Sequence, residues 1–235
     1  MMPVRAAMVL AAGFGTRMGS LVADRPKPLL TVHGRSLIDR VLDRIAAAGI
    51  GRVVVNLHYL GHMIRAHLAA RTDLEIAFSE EPEILETGGG LRAALPLLGA
   101  GPVLVMNADA VWTGPCPVPR LLAGWRPGLE GLLDLVPVGR ASAHAGPGDF
   151  FLDRAGRLAR RGAAARAPYV YTGAQILDTA RLAEMPPGAF PLGPVWDAMI
   201  AAGRLAGSVH PGGWIDAGTP QGLAAAEALA DTAGA

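Results

Sequence analysis

The chain has 235 residues, of which 51% are hydrophobic and 5% aromatic, and its formal net charge is +1. This length suffices for one large domain with an aliphatic core. The near-neutral charge, with no basic run longer than Arg160-Arg161, argues against nucleic acid or an acidic membrane as a partner. The single cysteine, Cys116, cannot form an internal disulfide, and prolines and glycines interrupt the longest uncharged stretch, 93–108. We therefore expect a cytoplasmic protein without a membrane span.

Apolar runs and helical periodicity alternate along the first half of the chain. Val4 to Ala12 is an apolar run that ends at a glycine, which predicts a buried strand. Residues 36–49 carry apolar side chains at helical spacing, with Ser36 as the N-cap and Gly49 as the stop. Similar patterns predict strands at 52–57, 74–79 and 103–106, and helices at 60–70 and 91–98. This alternation predicts a Rossmann-like, three-layer α/β/α fold.

The second half has a different order of elements, with strands predicted at 131–138, 150–153 and 169–177 and helices at 191–202 and 220–230. We expect these strands to extend the sheet into a mixed, mostly parallel one and to supply a substrate-facing lobe. Ligands of such sheets bind outside the carboxyl ends of the strands. The predicted site therefore lies on the loops 11–19, 80–90 and 107–112.

Lys27 is the only lysine in the chain, against 20 arginines, and it lies between Pro26 and Pro28. Lysine is a compact point charge, whereas arginine is a broad planar fork. A site that places one small positive charge against a phosphate in little space would reject the fork. The alternative, that a single lysine is incidental, is weakened by the glycine-rich segment Leu10–Gly19 just upstream.

A glycine-rich loop after a first strand indicates phosphate binding, because glycine lets backbone N–H groups surround an anion. The dinucleotide fingerprint needs a third glycine where Met18 stands, and the P-loop needs a Gly-Lys-Ser/Thr step that is missing. These absences argue against a nicotinamide-dependent oxidoreductase and a P-loop enzyme. The remaining pattern, Gly13-x-Gly15-Thr16-Arg17 followed by Pro26-Lys27-Pro28, closely resembles the signature of the sugar-phosphate nucleotidyltransferases.

Members of that family couple a nucleoside triphosphate to a sugar 1-phosphate and release pyrophosphate, and their resemblance to this chain implies three groups of residues. The nucleotide would contact Leu10, Ala11, Ala12, Gly13, Gly15, Thr16, Arg17, Glu81, Thr87 and Gly88. The sugar phosphate would contact Asn107, Tyr171, Thr172 and Gly173. Mg²⁺ would bind to Asp109 and Asp216.

The chemistry of the family explains these residue types. The sugar phosphate attacks the α-phosphorus in line, so catalysis depends on positioning and charge neutralisation. Mg²⁺ prefers carboxylate oxygen, which Asp109 and Asp216 supply, although either aspartate taken singly could instead cap a turn or helix. Lys27 would lie between the reacting phosphates and Arg17 would hold the leaving pyrophosphate, which makes these two the predicted catalytic residues. One departure is Ala108, which stands where the family has glycine before its metal-binding aspartate.

The predicted domain organisation is a single domain over 1–235, with 1–110 binding the nucleotide and 111–235 the sugar phosphate. Longer relatives grip the sugar phosphate with a second lysine that this chain lacks, and Arg160 or Arg161 could replace it. The compact pattern is most similar to members that transfer UMP from UTP to N-acetylmuramate 1-phosphate in cell-wall recycling. Transfer of GMP to mannose 1-phosphate is the alternative, and a non-catalytic regulatory protein of the same fold is the alternative of another class.

The choice of nucleotide is predicted from Glu81, which stands where related enzymes place a base-reading glutamine. A carboxylate only accepts hydrogen bonds, so it suits the N–H groups of uracil or guanine rather than the acceptor N1 of adenine. This reasoning argues against ATP and leaves UTP and GTP open. The preference for UTP rests on the resemblance, and the sequence leaves the oligomeric state open.

Overall fold

The computed structural model describes residues 2–229. Its strands are β1 Ala6–Leu10, β2 Thr31–Val32, β3 Arg35–Ser36, β4 Arg52–Leu57, β5 Glu75–Glu80, β6 Pro102–Asn107, β7 Ala110–Trp112, β8 Gly131–Pro137, β9 Ala141–Ser142, β10 Phe150–Leu152, β11 Leu158–Arg160, β12 Tyr169–Asp178, β13 Leu205–Val209 and β14 Trp214–Asp216. Its α-helices are α1 Leu37–Ala47, α2 Gly61–Leu68, α3 Glu86–Ala93, α4 Leu95–Leu98, α5 Pro117–Gly124, α6 Thr179–Ala183, α7 Gly193–Ala201 and α8 Pro220–Leu229. Short 3₁₀ helices cover Thr16–Val22, Lys27–Leu29 and Val138–Arg140.

The central sheet is mixed. Strands β6, β1, β4 and β5 are parallel neighbours, so their carboxyl ends meet at one edge. Strand β12 runs antiparallel to both β6 and β8, and β13 then pairs with β8 in parallel. Strand β10 pairs with the start of β12 and with β11. The edge formed by β1, β4, β5 and β6 is where the sequence predicts the site.

Helices cover both faces of this sheet because the strands are apolar on both sides. Along β1, Ala7 and Val9 face one core and Ala6 and Met8 face the other. Helices α1, α2 and α5 pack on the first core, while α3, α4, α6 and α7 pack on the second. The structure confirms the predicted three-layer fold. Ser36 caps α1 as predicted, since its hydroxyl accepts the N–H of Asp39 at 3.1 Å.

Helix α3 begins earlier than predicted and takes in residues 86–90, which the sequence suggested as a loop. Three consecutive glycines disfavour a helix locally, so tertiary packing decides their conformation. A Cβ at Gly88 would lie 2.4 Å from the Phe190 ring, and one at Gly89 would lie 2.3 Å from the Gly188 carbonyl oxygen. The glycines therefore let α3 pack closely against the 188–190 segment. Gly88 N donates to the carbonyl oxygen of Phe190 at 2.9 Å, which anchors the helix start.

A second, small sheet lies beside the carboxyl edge of the central one, and the sequence did not predict it. Strand β14 pairs antiparallel with β7, with Asp216 opposite Ala110, and in parallel with β9. Its inner side belongs to a third apolar cluster that includes Met18, Val111 and Ile215. This pairing brings residue 216 next to residue 109, although the two are 107 positions apart in the sequence.

Other differences are small. The hairpin β2–β3 and helix α5 were not predicted, and the predicted helix 191–202 begins at Gly193. The last helix follows the prediction as far as Leu229, and Ala230 lies outside the described residues. Within residues 2–229, every helix is too short or too polar to cross a lipid bilayer.

Candidate functional site

A cleft lies at the carboxyl ends of β1, β4, β5 and β6. Most of the predicted nucleotide-binding segment faces it, together with the single lysine and one predicted metal ligand. Its walls are formed by Leu10, Ala11, Ala12, Gly13, Lys27, Pro28, Asn56, Glu81, Ile84, Glu86, Thr87, Asn107, Ala108 and Asp109.

Two ion pairs join the predicted catalytic cations to the predicted metal ligands. Lys27 Nζ donates to Asp109 Oδ2, and both side chains are only 17% exposed. Arg17 Nη1 donates to Asp216 Oδ2 at 2.9 Å, and this bond raises the pKa of Arg17. A Cβ placed on Gly218 would lie 2.5 Å from Arg17 Nη2, 2.7 Å from Asp216 Oδ1 and 3.1 Å from Asp109 Oδ2. All four charged groups therefore surround one small region at the cleft, next to a glycine that leaves space for them.

The donor set fits a divalent cation that completes its coordination with substrate. Mg²⁺ is held in many phosphate sites by one or two carboxylates plus phosphate oxygens, rather than by a full protein cage. Asp109 and Asp216 supply two carboxylates, and no group of three or more histidine, cysteine, aspartate or glutamate side chains suited to a metal occurs within residues 2–229. The N-terminal cap of α8 is Thr219, whose Oγ1 accepts the N–H of Gly222, whereas Asp216 Oδ1 accepts the N–H of Gly218 in the turn before the helix.

The glycine-rich loop folds back over Lys27. Gly15 has a positive φ of 67°, and a Cβ there would lie 3.2 Å from Lys27 Cβ, so the loop approaches the lysine closely. The outer part of the loop is held by Tyr59, whose hydroxyl donates to the carbonyl oxygen of Val22 at 3.1 Å. Of the predicted loop residues, 10–13 line the cleft, while Gly15, Thr16 and Arg17 are not part of its wall.

Glu81 lines the cleft but is nearly buried, and both its carboxylate oxygens have protein donors. Asn56 Nδ2 donates to Oε1 at 2.7 Å, and the N–H of Leu85 donates to Oε2 at 3.2 Å. Asn56 in turn accepts the N–H of Ala11 at 2.7 Å. A carboxylate has about four acceptor positions, so these bonds leave it able to accept from a base. These hydrogen bonds, which run from Glu81 through Asn56 to the backbone of Ala11, also fix the start of the glycine-rich loop.

The chain is similar to known proteins over most of its length. The MobA-like NTP transferase domain matches residues 7–166, which is more than half of the chain. The chain belongs to this family. It is 41% identical to N-acetylmuramate alpha-1-phosphate uridylyltransferase of Caulobacter vibrioides, over 94% of this chain and 95% of the relative. It is 35% identical to the protein of the same name from Neisseria meningitidis serogroup B, over 95% and 97% of the two chains.

The fold of this NTP transferase is also that of distant solved structures. A UDP-glucose pyrophosphorylase complexed with UDP-glucose superposes with a TM-score of 0.80 at 14% identity, covering 97% of this chain and 99% of the other. This confirms the predicted nucleotide-diphospho-sugar transferase type of fold. Sugar nucleotidyltransferases generally depend on a divalent metal, which is consistent with the two carboxylates at the cleft.

A second cavity lies on the far side of Asn107 from the cleft, near the residues predicted to bind the sugar phosphate. We call it the sugar-side cavity. Asn107 and Thr87 line both this cavity and the cleft, so the two are continuous. Tyr171 lines the cavity, and Gly173 lies behind Asn107 with a positive φ of 85°. A Cβ at Gly173 would lie 2.9 Å from Asn107 Nδ2. The glycine therefore lets the Asn107 side chain pack against β12.

Two residues predicted to contact substrate, Gly88 and Thr172, form hydrogen bonds within the protein and do not line the cleft or the cavity. Gly88 is buried in α3, and its N–H is bonded to Phe190 rather than directed into the cleft. Thr172 is fully buried, and its hydroxyl donates to Asp134 Oδ2 at 2.6 Å. Tyr171 and Thr172 are neighbours on a strand, so they point to opposite faces of the sheet, and only Tyr171 lines a cavity.

Thr172 belongs to a buried polar cluster that also contains Asp134, Arg120 and His210. Asp134 also accepts from Arg120 Nη2, and burial raises the pKa of Asp134. His210 is fully buried; its Nε2 donates to the carbonyl oxygen of Thr113 at 2.9 Å, and its Nδ1 faces Arg120 Nη2 at 3.2 Å. Burial lowers the pKa of His210, and this geometry suits the neutral ring because Nδ1 can only accept from a guanidinium.

Sequence reasoning did not assign Asn56 to the site, and it placed Ile84 and Glu86 within the predicted loop 80–90 without naming them as site residues, although all three line the cleft. Asn56 is a polar residue at the end of the apolar strand Val53–Val55, and a polar side chain closing a buried strand was the available signal. Glu86 carries no such signal, since its place in the wall depends on the packing of α3.

Proposed function

We propose that the chain transfers UMP from UTP to N-acetylmuramate 1-phosphate and releases pyrophosphate. The observation that carries this proposal is similarity along the whole chain to two relatives that bear the name of that activity. Membership of the NTP transferase family and the convergence of Lys27, Arg17, Asp109 and Asp216 support an active enzyme rather than a regulatory protein. The cytoplasmic location stays a prediction.

Each charged residue has a role in this reaction. Asp109 and Asp216 would hold Mg²⁺, which when bound neutralises phosphate charge and orients the phosphates. Release of the carboxylates from their ion pairs frees Lys27 and Arg17 to bind phosphate oxygens. Lys27, enclosed at the cleft wall, stabilises the charge that builds up between the attacking and leaving phosphates. Arg17 has a side chain that is 59% exposed and holds the outer phosphates that leave as pyrophosphate.

The two halves of the single domain divide the substrates between them. All the lining residues of the cleft lie between 10 and 109, which supports nucleotide binding by 1–110. Most of the walls of the adjoining cavity lie between 160 and 197, which supports sugar-phosphate binding by 111–235. We assign the base to the part of the cleft beside Glu81 and Thr87, and the phosphates to the part beside Gly13 and Lys27.

A matched screen tests the proposal. The four common nucleoside triphosphates are each assayed with the 1-phosphates of N-acetylmuramate, N-acetylglucosamine, glucose and mannose, and pyrophosphate release is measured with Mg²⁺ present. UTP with N-acetylmuramate 1-phosphate is expected to give the highest kcat/KM. A preference for GTP with mannose 1-phosphate would replace the proposal by the guanylyltransferase alternative, and no turnover with any pair would favour the regulatory one.

A further inference from the structure

Arg160 is a cation in the sugar-side cavity whose side chain donates no hydrogen bond within the described part of the chain. It lines that cavity together with Asn107, Tyr171 and Trp196, and it is not part of the cleft wall. Its guanidinium carbon lies 5.4 Å from the centre of the Phe150 ring and 5.6 Å from that of Trp196. Two aromatic rings thus position the guanidinium, and contact through its face leaves its N–H edge able to bind an anion.

The ion pair of Arg160 with Asp197 is weak. Nε lies 3.5 Å from Asp197 Oδ1, and the Asp197 side chain is 58% exposed. An ion pair with this exposure contributes little to stability. A ligand carboxylate with bidentate geometry would therefore compete with Asp197 successfully, because such pairs are the stronger kind.

Arg161, the other candidate for the missing lysine, is already bonded to the backbone. Its Nε donates to the carbonyl oxygen of Gly148 at 3.1 Å, and its Nη1 donates to that of Ala164 at 2.8 Å. These bonds hold the segment that follows β11. Of the two adjacent arginines, Arg160 is the one whose guanidinium is directed to a cavity without a strong partner.

The same cavity wall contains the Tyr171 hydroxyl, a polar group without a hydrogen-bond partner in the described part of the chain. This hydroxyl is buried. Burial raises the pKa of Tyr171, so the phenol keeps its proton and can donate. Buried polar groups without partners are rare, and a ligand group is one explanation for such an atom.

The position of Arg160 separates it from the phosphate end of the site. Lys27 and Asp109 line the cleft, whereas Arg160 lines the cavity beyond Asn107 and is not part of the cleft wall. A sugar 1-phosphate with its phosphate near Lys27 would extend its ring past Asn107 towards Arg160. A neutral sugar would offer no anion to the guanidinium there.

We propose that Arg160 binds a carboxylate carried by the sugar and so selects acidic sugar 1-phosphates over neutral ones. This inference rests on the proposed function, because N-acetylmuramate is N-acetylglucosamine with an added lactyl ether carboxylate. The N–H edge of the guanidinium would pair with that carboxylate, while Phe150 and Trp196 keep its plane fixed. Arg160 is thus a specificity residue, distinct from the phosphate-binding Lys27.

The test compares Arg160→Gln with wild type on N-acetylmuramate 1-phosphate and N-acetylglucosamine 1-phosphate, both with UTP. Loss of one charge-assisted pair predicts a drop of about 10- to 100-fold in kcat/KM for the acidic sugar. For the neutral sugar the change should stay below about 3-fold, because the lost partner is absent from that substrate. The matched control is Arg154→Gln, which removes the same charge from the exposed turn between β10 and β11 and should change neither value.

Equal losses on both sugars, or no loss on either, would overturn the inference. If Arg160→Gln lowers the melting temperature markedly, Arg160→Lys decides: it retains the charge without the fork and should keep part of the preference for the acidic sugar. Equal loss on both sugars in that variant would likewise refute the role. If the wild-type enzyme turns over neither sugar phosphate, the proposed function is overturned, and this inference with it. If the wild type is active and Arg160→Gln has the same kcat/KM values, only the inference is refuted.

Discussion

Replacing Lys27 by arginine tests whether the site needs a point charge rather than any cation. Lys27 is confined on several sides: Pro26 and Pro28 flank it, Gly15 approaches its Cβ, and Asp109 accepts from its ammonium group. The guanidinium is broader and cannot take the same position between two phosphates. Removing one preorganised donor of this kind costs about 2–4 kcal/mol of transition-state stabilisation, or about 30- to 1000-fold in kcat.

The assay is steady-state pyrophosphate release with UTP and N-acetylmuramate 1-phosphate, together with thermal unfolding. The melting temperature should change little, because Lys27 is on a 3₁₀ turn and arginine can still pair with Asp109. The matched control is Arg25→Lys, two residues upstream, where an exposed side chain pairs with Asp24. Its kinetics should equal those of wild type. Wild-type turnover in Lys27→Arg would refute the reasoning, and similar losses in both variants would show that the loop tolerates no change at all.

Two further predictions concern the metal and the buried cluster. Turnover should require Mg²⁺ and stop when EDTA is added. Asp109→Asn and Asp216→Asn should each lower kcat about 100-fold or more. The double variant should be little worse than either single variant, because ligands of one ion act as a unit. Mild, additive losses would favour a structural role for the two aspartates. Burial lowers the pKa of His210 below the ordinary 6.5. The contribution of the neutral imidazole to the free energy of unfolding is therefore present above about pH 6.5 and is lost as the pH falls. The free energy of unfolding should change by at most about 1.4 kcal/mol per pH unit from this group. The free energy of unfolding, measured with urea between about pH 7.5 and 5.5, should fall less in His210→Gln than in wild type, and equal slopes would contradict the neutral buried imidazole.

The sequence was sufficient where local signals agree with the tertiary structure. The apolar strands, their parallel order and the Ser36 cap follow from hydrophobic periodicity and capping chemistry, which act over a few residues. The cleft position follows from the general rule for parallel sheets. The resemblance then named Lys27 and Asp109, which the structure places in contact.

Prediction failed where a distant segment decides the conformation. Residues 88–90 were placed in the loop 80–90, yet they are helical, because segment 188–190 packs where side chains at Gly88 and Gly89 would lie. Thr172 was assigned to the sugar together with Tyr171, although strand alternation allows only one of two neighbours to face a cavity. Strand alternation thus gave a reason, available in the sequence, to separate Thr172 from Tyr171. The distinct contacts of Arg160 and Arg161 could not be predicted from the sequence, because they depend on Trp196 and Gly148 from other elements.

The pairing of β7 with β14 explains why two residues so far apart in sequence can act together. Asp216 is opposite Ala110 in that ladder, and the N–H of Ala217 donates to the carbonyl oxygen of Asp109 at 3.2 Å. The backbone thus fixes both carboxylates beside Gly218, while the Arg17 and Lys27 side chains neutralise them. If Asp109 and Asp216 hold a divalent cation, Lys27 and Arg17 would be free to bind phosphate oxygens. Loss of either carboxylate therefore disturbs the metal and the phosphate contacts together, which is the physical reason to expect that the second substitution adds little to the first.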